Sequence, residues 1–283
     1  MGRGMKKLYA VIGNPIAHSM SPLMHNDLFQ HYGIDAHYQA FAIKEEDLAE
    51  AVKGFRAMNM SGFNVTVPHK VAIISLLDDV DPLARSIGAV NTVANENGRL
   101  IGYNTDGSGY VKALKSELQE LKEKKVLIIG AGGAARAIYF TLAFEGVAHI
   151  DLTNRTPTKA ERLVEECPYH AKSNILSLNE AEEQLAAYDI IIQTTSLGMS
   201  PNSECKVLSL HNLKESAFVS DIIYNPLETE LLRQARDKGA KTQNGIQMFV
   251  QQGALAFEIW TNVKPDINRM TNKVLQQLGG TIC

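Results

Sequence analysis

Cysteine is scarce. Cys167, Cys205 and Cys283 are the only three in 283 residues, and no two form a C-x-x-C pair. An odd, dispersed set gives neither a disulfide framework nor a thiolate metal template, and it suits a reducing compartment, the cytoplasm. Net charge is scarce as well, since Lys+Arg 28 against Asp+Glu 31 leaves -3. That excludes a nucleic-acid footprint built on bulk positive charge, and it excludes an acidic tail. A membrane-length apolar run is also missing. The nearest approach, residues 126–144, carries Arg136 near its middle and Gly130, Gly132 and Gly133 within it. An arginine at the centre of a membrane helix costs about 2.5–3.5 kcal/mol, so a strand, a glycine turn and a helix fit better. Residues 1–5 hold no apolar core of a signal peptide, and Lys6 stands where myristoylation needs Ser or Thr. Either Met5 is a second start site or residues 1–4 are an appended segment. The eight histidines form no H-E-x-x-H, so no metal is expected, and no G-x-S-x-G elbow suggests a serine hydrolase.

What is there, 45% hydrophobic and 21% charged, is the composition of an ordinary soluble globular chain. At roughly 150 residues per domain the length favours about two domains. Strand and helix signals alternate, the pattern of α/β architecture. Residues 8–12 read as a strand ending at Gly13-Asn14-Pro15. Ser21-Pro22 supply an N-cap and an N1 proline to a helix with Met24, Leu28, Phe29 and Tyr32 on one face and Gly33 as its stop. A strand at 38–43 follows, then a helix faced by Leu48, Val52 and Phe55. Phe63, Val65 and Val67 alternate with Asn64 and Thr66, a strand with one apolar and one polar face that Pro68 ends. Residues 89–94 and 100–103 form a hairpin about Asn97-Gly98. The second half holds a strand at 125–129 and a helix at 134–145, stopped by Gly146. Strands at 148–153, 189–193 and 218–223 are each followed by a helical stretch, and 246–278 reads as two helices parted near Lys264-Pro265. With no repeat and no long linker, the domain boundary falls in compact connections near Asp106 and Gly245.

Gly130-Ala131-Gly132-Gly133-Ala134-Ala135 matches G-x-G-x-x-A between a predicted strand and a predicted helix. Gly130 permits the tight turn, Gly132 lets backbone N–H groups approach a pyrophosphate, and Ala135 allows close helix–sheet packing. The end of the next strand selects the cofactor, because an acid there would accept from the ribose 2′-OH of NAD. This strand ends in Thr153-Asn154-Arg155-Thr156, and its one carboxylate, Asp151, lies short of the end. Arg155 is either a solvated loop arginine or the partner of a 2′-phosphate, and at this position it favours NADP. Thr156-Pro157 reads as a cap and N1 proline, and Lys159 one turn on adds a second positive charge. Thr194-Thr195-Ser196 follows another strand end, where α/β sheets bind ligands; it is otherwise a plain connection.

Polar residues also gather at predicted turns and strand ends of the first half. Ser19 and Ser21 can hold a carboxylate at a helix N-terminus, or Ser21 simply caps. Asn64 and Thr66 share a face that is either solvated or, in a sheet covered on both sides, in need of partners. Lys70 follows Pro68-His69 at the start of a predicted helix, where the dipole disfavours a cation. His69 reads as a packing residue. Asp106 is the natural counterpart of Lys70, or else a helix N-cap, and Asn91 and Asn104 begin two Asn-Thr pairs. Hydroxyls, amides, one ammonium and one carboxylate suit a small polyhydroxylated acid meeting a nicotinamide, with a hydride from the cofactor and a proton from a positioned acid.

From about Tyr9 to Leu278 the chain closely resembles the shikimate dehydrogenases. The resemblance rests on Gly13-Asn14-Pro15 with His18-Ser19-x-Ser21-Pro22, Asn64-Val65-Thr66-Val67-Pro68-x-Lys70 and Gly88-Ala89-Val90-Asn91-Thr92. Gly102-Tyr103-Asn104-Thr105-Asp106-Gly107, Gly130 to Ala135, Asn154-Arg155-Thr156, Tyr224-Asn225-Pro226-x-x-Thr229 and Met248 with Gln252 continue it in order. It implies NADP(H) as cofactor, 3-dehydroshikimate and shikimate as substrates, and Lys70 with Asp106 as the catalytic pair. Ser19, Ser21, Asn64, Thr66, Asn91, Asp106, Tyr224 and Gln252 are then substrate-binding. Gly130 to Ala135, Asn154, Arg155, Thr156, Lys159, Thr194, Thr195, Ser196, Ile222, Gly245 and Met248 are cofactor-binding. The fold implied is α/β in two domains, an N-terminal substrate-binding and catalytic domain of residues 1–106 plus 246–283 and a doubly wound, Rossmann-type NADP domain of residues 107–245. No membrane or nucleic-acid partner is implied, and the chain would act as a monomer or homodimer. Two residues depart from the family: Gln193 where Asn is frequent, and Asn244 where Asp is common. The rival readings are an NAD-using quinate/shikimate dehydrogenase and a non-catalytic dinucleotide-binding regulator.

Overall fold

The structure, a computed structural model, describes residues 5–201, 203–205 and 207–279; the readings of residues 1–4 and of Cys283 lie outside these. The chain divides into two units, one running to Thr105 and resuming at Val250, the other spanning Asp106–Phe249.

The first unit opens with β1 (Lys7–Gly13), α1 (Ser21–His31), β2 (Ala36–Ala42), α2 (Leu48–Ala57) and β3 (Gly62–Val65). After β4 (Asp79–Val80), α3 (Pro82–Ile87), β5 (Thr92–Glu96) and β6 (Arg99–Tyr103), the sheet has the order β2-β1-β3-β5-β6-β4. β1 runs parallel to β2 and β3, whereas β5 is antiparallel to β3 and to β6. The expected hairpin is the β5–β6 pair. Asn97 (φ 54°) and Gly98 (φ 91°) both take the positive φ that such a tight connection requires. Apolar alternation covers this sheet on both faces. Ala10 and Ile12 join Leu48, Val52 and Phe55 in one core, while Tyr9 points the other way, its ring 5.1 Å from Phe29 and 5.0 Å from Trp260.

α4 (Thr105–Glu117) leads into β7 (Lys125–Ile129), α5 (Gly133–Phe144), β8 (His149–Thr153), α6 (Pro157–Glu165), β9 (Ile175–Leu176) and α7 (Leu178–Glu183). β10 (Ile190–Gln193), β11 (Phe218–Asp221), α8 (Glu230–Asp237) and β12 (Lys241–Gln243) follow. All pairings in this second sheet are parallel, in the order β12-β11-β10-β7-β8-β9. The sheet grows outward from β7 to one side and from β10 to the other. The strand order therefore reverses between them, and the carboxyl ends of β7 and β10 flank a topological switch point. α9 (Ile246–Thr261) and α10 (Ile267–Gln277) end the described chain. α10 is tied to α1 by a two-pronged ion pair, Arg269 donating to the Asp27 carboxylate at 2.6 and 3.0 Å.

Several local expectations are corrected. Ser21 is the first residue of α1 rather than its cap: Met20 holds that place in helical geometry, with no side-chain cap bond. Asp106 likewise lies inside the first turn of α4. No α-helix begins after Pro68; a turn leads into one 3-10 segment, Ala72–Leu76, so Lys70 sits ahead of it in the turn and the dipole argument does not apply to it. β3 stops at Val65, and Val67, expected on the apolar face, is exposed. No helix follows β10 among the described residues. Val207, Leu208, Leu210 and Leu213 are buried there from irregular chain.

Candidate active site

In the first unit, a buried polar cluster is built where β3, β5 and the start of α4 meet. Asn64, in a sheet packed on both faces, is buried rather than solvated. Its Nδ2 donates to the Asn91 carbonyl at 3.1 Å and to Thr92 Oγ1 at 2.9 Å. A carbonyl can only accept, which fixes the amide and makes the Tyr38 phenol the donor to Asn64 Oδ1 at 2.6 Å. Burial pushes the Tyr38 phenol well above its usual range, against a smaller opposing pull from the Ser21 hydroxyl, so it keeps its proton. Asn91 Oδ1 accepts from the Thr105 N–H at 2.7 Å, and its Nδ2 donates to Thr105 Oγ1 at 2.9 Å. A side chain distant in sequence thus satisfies the first N–H of α4, one residue before Asp106.

Around this cluster the main chain sets the remaining groups. Ser19 Oγ accepts from the Ser21 N–H at 3.3 Å. Thr66 donates its N–H to the Ile12 carbonyl at 2.9 Å, and Asn14 donates to the Val67 carbonyl at 3.0 Å. The two chain segments that carry Ser19 and Lys70 are thereby joined. Gly13 is needed in this seam, because a Cβ on it would lie 2.4 Å from Thr66 Cγ2. The Lys70 carbonyl accepts from Val90 N at 2.8 Å, next to Asn91. His69 is buried with Nε2 2.8 Å from the Ile43 carbonyl, the packing role expected of it. Gln252 lies on α9. Ser19, Ser21, Asn64, Thr66, Lys70, Asn91 and Gln252 all belong to the first unit.

In the second unit the glycine turn forms at the switch point. Gly130 (φ +114°) leaves β7, and a Cβ on it would come 2.5 Å from Thr194 Oγ1 and 2.9 Å from Thr195 Cγ2. Thr194 in turn donates its hydroxyl to the Ile129 carbonyl at 2.7 Å. The loops after β7 and β10 are therefore in direct contact. Gly132 caps α5 with no side-chain bond, and a Cβ on Gly132 or Gly133 would meet nothing within 4 Å. Such an open, uncapped helix N-terminus has the geometry that suits an anion, and Ala135, the third residue of α5, is fully buried.

Asp151 is removed from any ribose role. Its Oδ1 accepts from Asn174 N and Nδ2 at 2.8 and 3.0 Å, and its Oδ2 from the Tyr188 hydroxyl at 2.7 Å. At the end of β8, Asn154 donates to the Thr156 carbonyl at 2.8 Å, and Arg155, Thr156 and Lys159 are exposed beside the start of α6. Thr156 is the cap of α6 as expected, though its side chain makes no cap bond.

Ile222 and Gly245 also meet: a Cβ on Gly245 would lie 1.9 Å from the Ile222 carbonyl, and Gly245 donates to the Ile223 carbonyl at 2.9 Å. The turn that carries Tyr224 is held at its root by Asp221, which accepts from Ile223 N at 3.0 Å and from the Thr229 hydroxyl at 2.8 Å. Burial drives Asp221 up from 3.8 to about 6 against those two bonds. Burial also raises Tyr224, whose ring lies 5.5 Å from Phe249. Asn244 donates to the Leu227 carbonyl at 2.8 Å, a bond that an Asp could not make, and Met248 lies in the first turn of α9. Sequence reasoning missed Tyr38, Thr92, Thr105, Gln193 and Asp221 as supports of these groups. Their polarity was legible, but their burial, which makes it a signal, is not visible without the sheet order. Among the described residues no group of three His, Cys, Asp or Glu could hold a metal, and no helix is long and apolar enough to cross a membrane.

A parallel sheet with a glycine turn at its switch point, a basic strand end and a separate polar α/β unit define a two-domain dinucleotide-binding α/β protein of the oxidoreductase type. The patterns of three domain families match the chain in order: the shikimate dehydrogenase substrate binding domain over residues 11–93, shikimate / quinate 5-dehydrogenase over 112–230, and the shikimate 5'-dehydrogenase C-terminal domain over 245–275. The chain belongs to the shikimate dehydrogenase family. Shikimate dehydrogenase (NADP(+)) of Bacillus cereus strain AH187 is 59% identical over 277 residues, 98% of this chain and 100% of that protein. The crystal structure of shikimate 5-dehydrogenase from Listeria monocytogenes in complex with shikimate and NAD superposes with a TM-score of 0.92 at 38% identity, covering 96% of this chain and 97% of that one. That of Thermus thermophilus shikimate 5-dehydrogenase in complex with NADP(H) and shikimate gives 0.86 at 37% identity, covering 95% and 99%.

Proposed function

We propose that this chain catalyses the reversible, NADPH-dependent reduction of 3-dehydroshikimate to shikimate, with Lys70 and Asp106 as its catalytic pair. The chain is an NADP-dependent oxidoreductase acting on a CH–OH group, as its family is. The observation that carries the cofactor choice is the full engagement of Asp151 by Asn174 and Tyr188, which leaves exposed Arg155 at the end of β8 to meet a 2′-phosphate. Gly130 to Ala135 would hold the pyrophosphate on the N–H groups of α5. Asn154, Thr156 and Lys159 would complete the adenosine end, and Thr194, Thr195, Ser196, Ile222, Gly245 and Met248 the nicotinamide end. Bound NADPH supplies the hydride.

Lys70 holds a proton at the reacting oxygen and gives it up as the carbonyl becomes a secondary alcohol; in the reverse direction it receives that proton. Asp106 orients the substrate and the lysine. Ser19 and Ser21 bind the carboxylate, and Asn64, Thr66, Asn91, Tyr224 and Gln252 bind the ring hydroxyls. Both Asn64 N–H groups are spent on Asn91 and Thr92, so Asn64 would serve the ligand as an acceptor from a hydroxyl. The division into a substrate domain of residues 1–106 plus 246–283 and an NADP domain of residues 107–245 is the arrangement this reading needs, as a monomer or a homodimer. Scarce cysteine supports a cytoplasmic setting. The test is NADP reduction with shikimate, quinate and no acid in parallel: turnover with shikimate well above quinate supports the reading, and quinate as the better substrate overturns it.

A further inference from the structure

The residue the sequence marked as a departure has a definite place. Gln193 ends β10 and is fully buried. Its side chain does not leave the strand for a neighbouring element; it folds forward under the loop that follows. Nε2 donates to the Thr195 carbonyl at 3.1 Å and to the Leu197 carbonyl at 3.0 Å, and Oε1 accepts from the Thr195 N–H at 2.6 Å. Both amide hydrogens and one acceptor position are therefore committed to the backbone of one short loop. That loop is closed further by Thr195 Oγ1, which accepts from Leu197 N at 3.2 Å. The Gln193 carbonyl, on the other side, accepts from the Ile222 N–H at 3.1 Å.

We propose that Gln193 is a positioning residue for the dinucleotide: it sets the 194–197 loop against the Gly130 turn and so fixes the wall on which the cofactor rests. The inference deepens the functional reading above and rests on its assignment of Thr194, Thr195 and Ser196 to the cofactor. Thr194 and Thr195 carry the atoms a Cβ on Gly130 would strike, at 2.5 and 2.9 Å. A shift of this loop therefore opens or closes the turn that receives the pyrophosphate. Gln193 itself touches no ligand and acts only through the loop. Its length matters. An asparagine at 193 keeps the reach to an N–H two residues on, but is one methylene too short to hold the Leu197 carbonyl as well.

The test uses the whole chain with Gln193→Leu, similar in size and unable to hydrogen-bond, and Gln193→Asn. NADPH binding is read directly by fluorescence titration without second substrate, and amide hydrogen exchange over 194–199 is followed with and without NADPH. Gln193→Leu is expected to weaken NADPH about tenfold, the factor that about 1.4 kcal/mol represents, and to speed exchange in the loop. Gln193→Asn is expected to fall between it and the parent, and shikimate KM is expected to stay within about twofold in both. Unchanged NADPH affinity in both variants, or equal losses for NADPH and shikimate, would overturn the proposal while leaving the site reading intact. If NADPH gives the parent loop no protection from exchange, the assignment of 194–196 to the cofactor fails, and the proposal fails with it. Should Gln193→Leu not fold, Gln193→Asn carries the same comparison.

Discussion

Trp260 donates its indole N–H to the carbonyl of Val93 at 2.9 Å, a bond between α9 and β5 across 167 residues of sequence. It explains why position 62 is glycine. A Cβ there would stand 2.3 Å from Trp260 Nε1 and 2.8 Å from the Val93 carbonyl, in the space the bond occupies. The indole is flanked by the Tyr9 and His25 rings, whose centroids lie 5.0 and 5.4 Å from it. The tail of the chain is in this way built into the core of the first unit.

Gly62→Ala is therefore expected to cost about 1–3 kcal/mol, the range for overpacking a filled core, and to lower the urea midpoint without changing the denaturant slope. Unfolding followed by tryptophan fluorescence checks it directly, since Trp260 is the sole tryptophan. A midpoint equal to the parent's would show that the indole is free to move.

Arg155→Ala is expected to weaken NADPH by about tenfold to a hundredfold, the worth of a charge-assisted contact to a phosphate, and to leave NADH nearly unchanged. Direct titration with both cofactors reads the difference. Equal losses for the two would remove the 2′-phosphate from this residue.

Asp221 gives a pH dependence with a definite sign. Its carboxyl is raised by burial from 3.8 to about 6, so between those values the folded chain keeps a proton that the unfolded chain has released. Stability then falls as pH rises through that window, by up to about 3 kcal/mol from this group, and the contribution is constant above it. Asp221→Asn can keep both bonds, accepting from Ile223 and donating to Thr229, and has no proton to lose. The variant is expected to gain stability relative to the parent as pH rises from about 4 to about 7. Parallel stability curves for the two proteins would contradict the shift.

The parts that were legible in the sequence are those whose physics is local. Gly130 to Ala135 declares a turn and a helix start within six residues, and Asn97-Gly98 declares a hairpin because both positions need positive φ. What could not be read is set by partners far along the chain. Asn64 could have been solvated or buried until the sheet was seen to be covered on both faces. Asn91 and Thr105 each look like ordinary turn residues, and only their pairing shows that one caps the helix that begins at the other. Ser21 was misplaced by one position because Met20, not a capping type, already has helical geometry. The helical stretch expected after residues 189–193 is not found among the described residues, where Val207, Leu208, Leu210 and Leu213 are buried one by one from irregular chain. The partner of Gln193 was invisible for the opposite reason: it is its own loop, and only the fold of the side chain reveals it.

The roles of Lys70 and Asp106 come down to one comparison, the steady-state oxidation of shikimate by NADP in the parent and in Lys70→Ala, with shikimate affinity measured separately. Withdrawal of a positioned proton carrier is expected to lower kcat about 10²–10⁴-fold, with shikimate binding weakened only a few-fold. A variant that keeps the parent's kcat, or that loses binding and turnover in equal measure, would show that Lys70 is not the group that handles the proton.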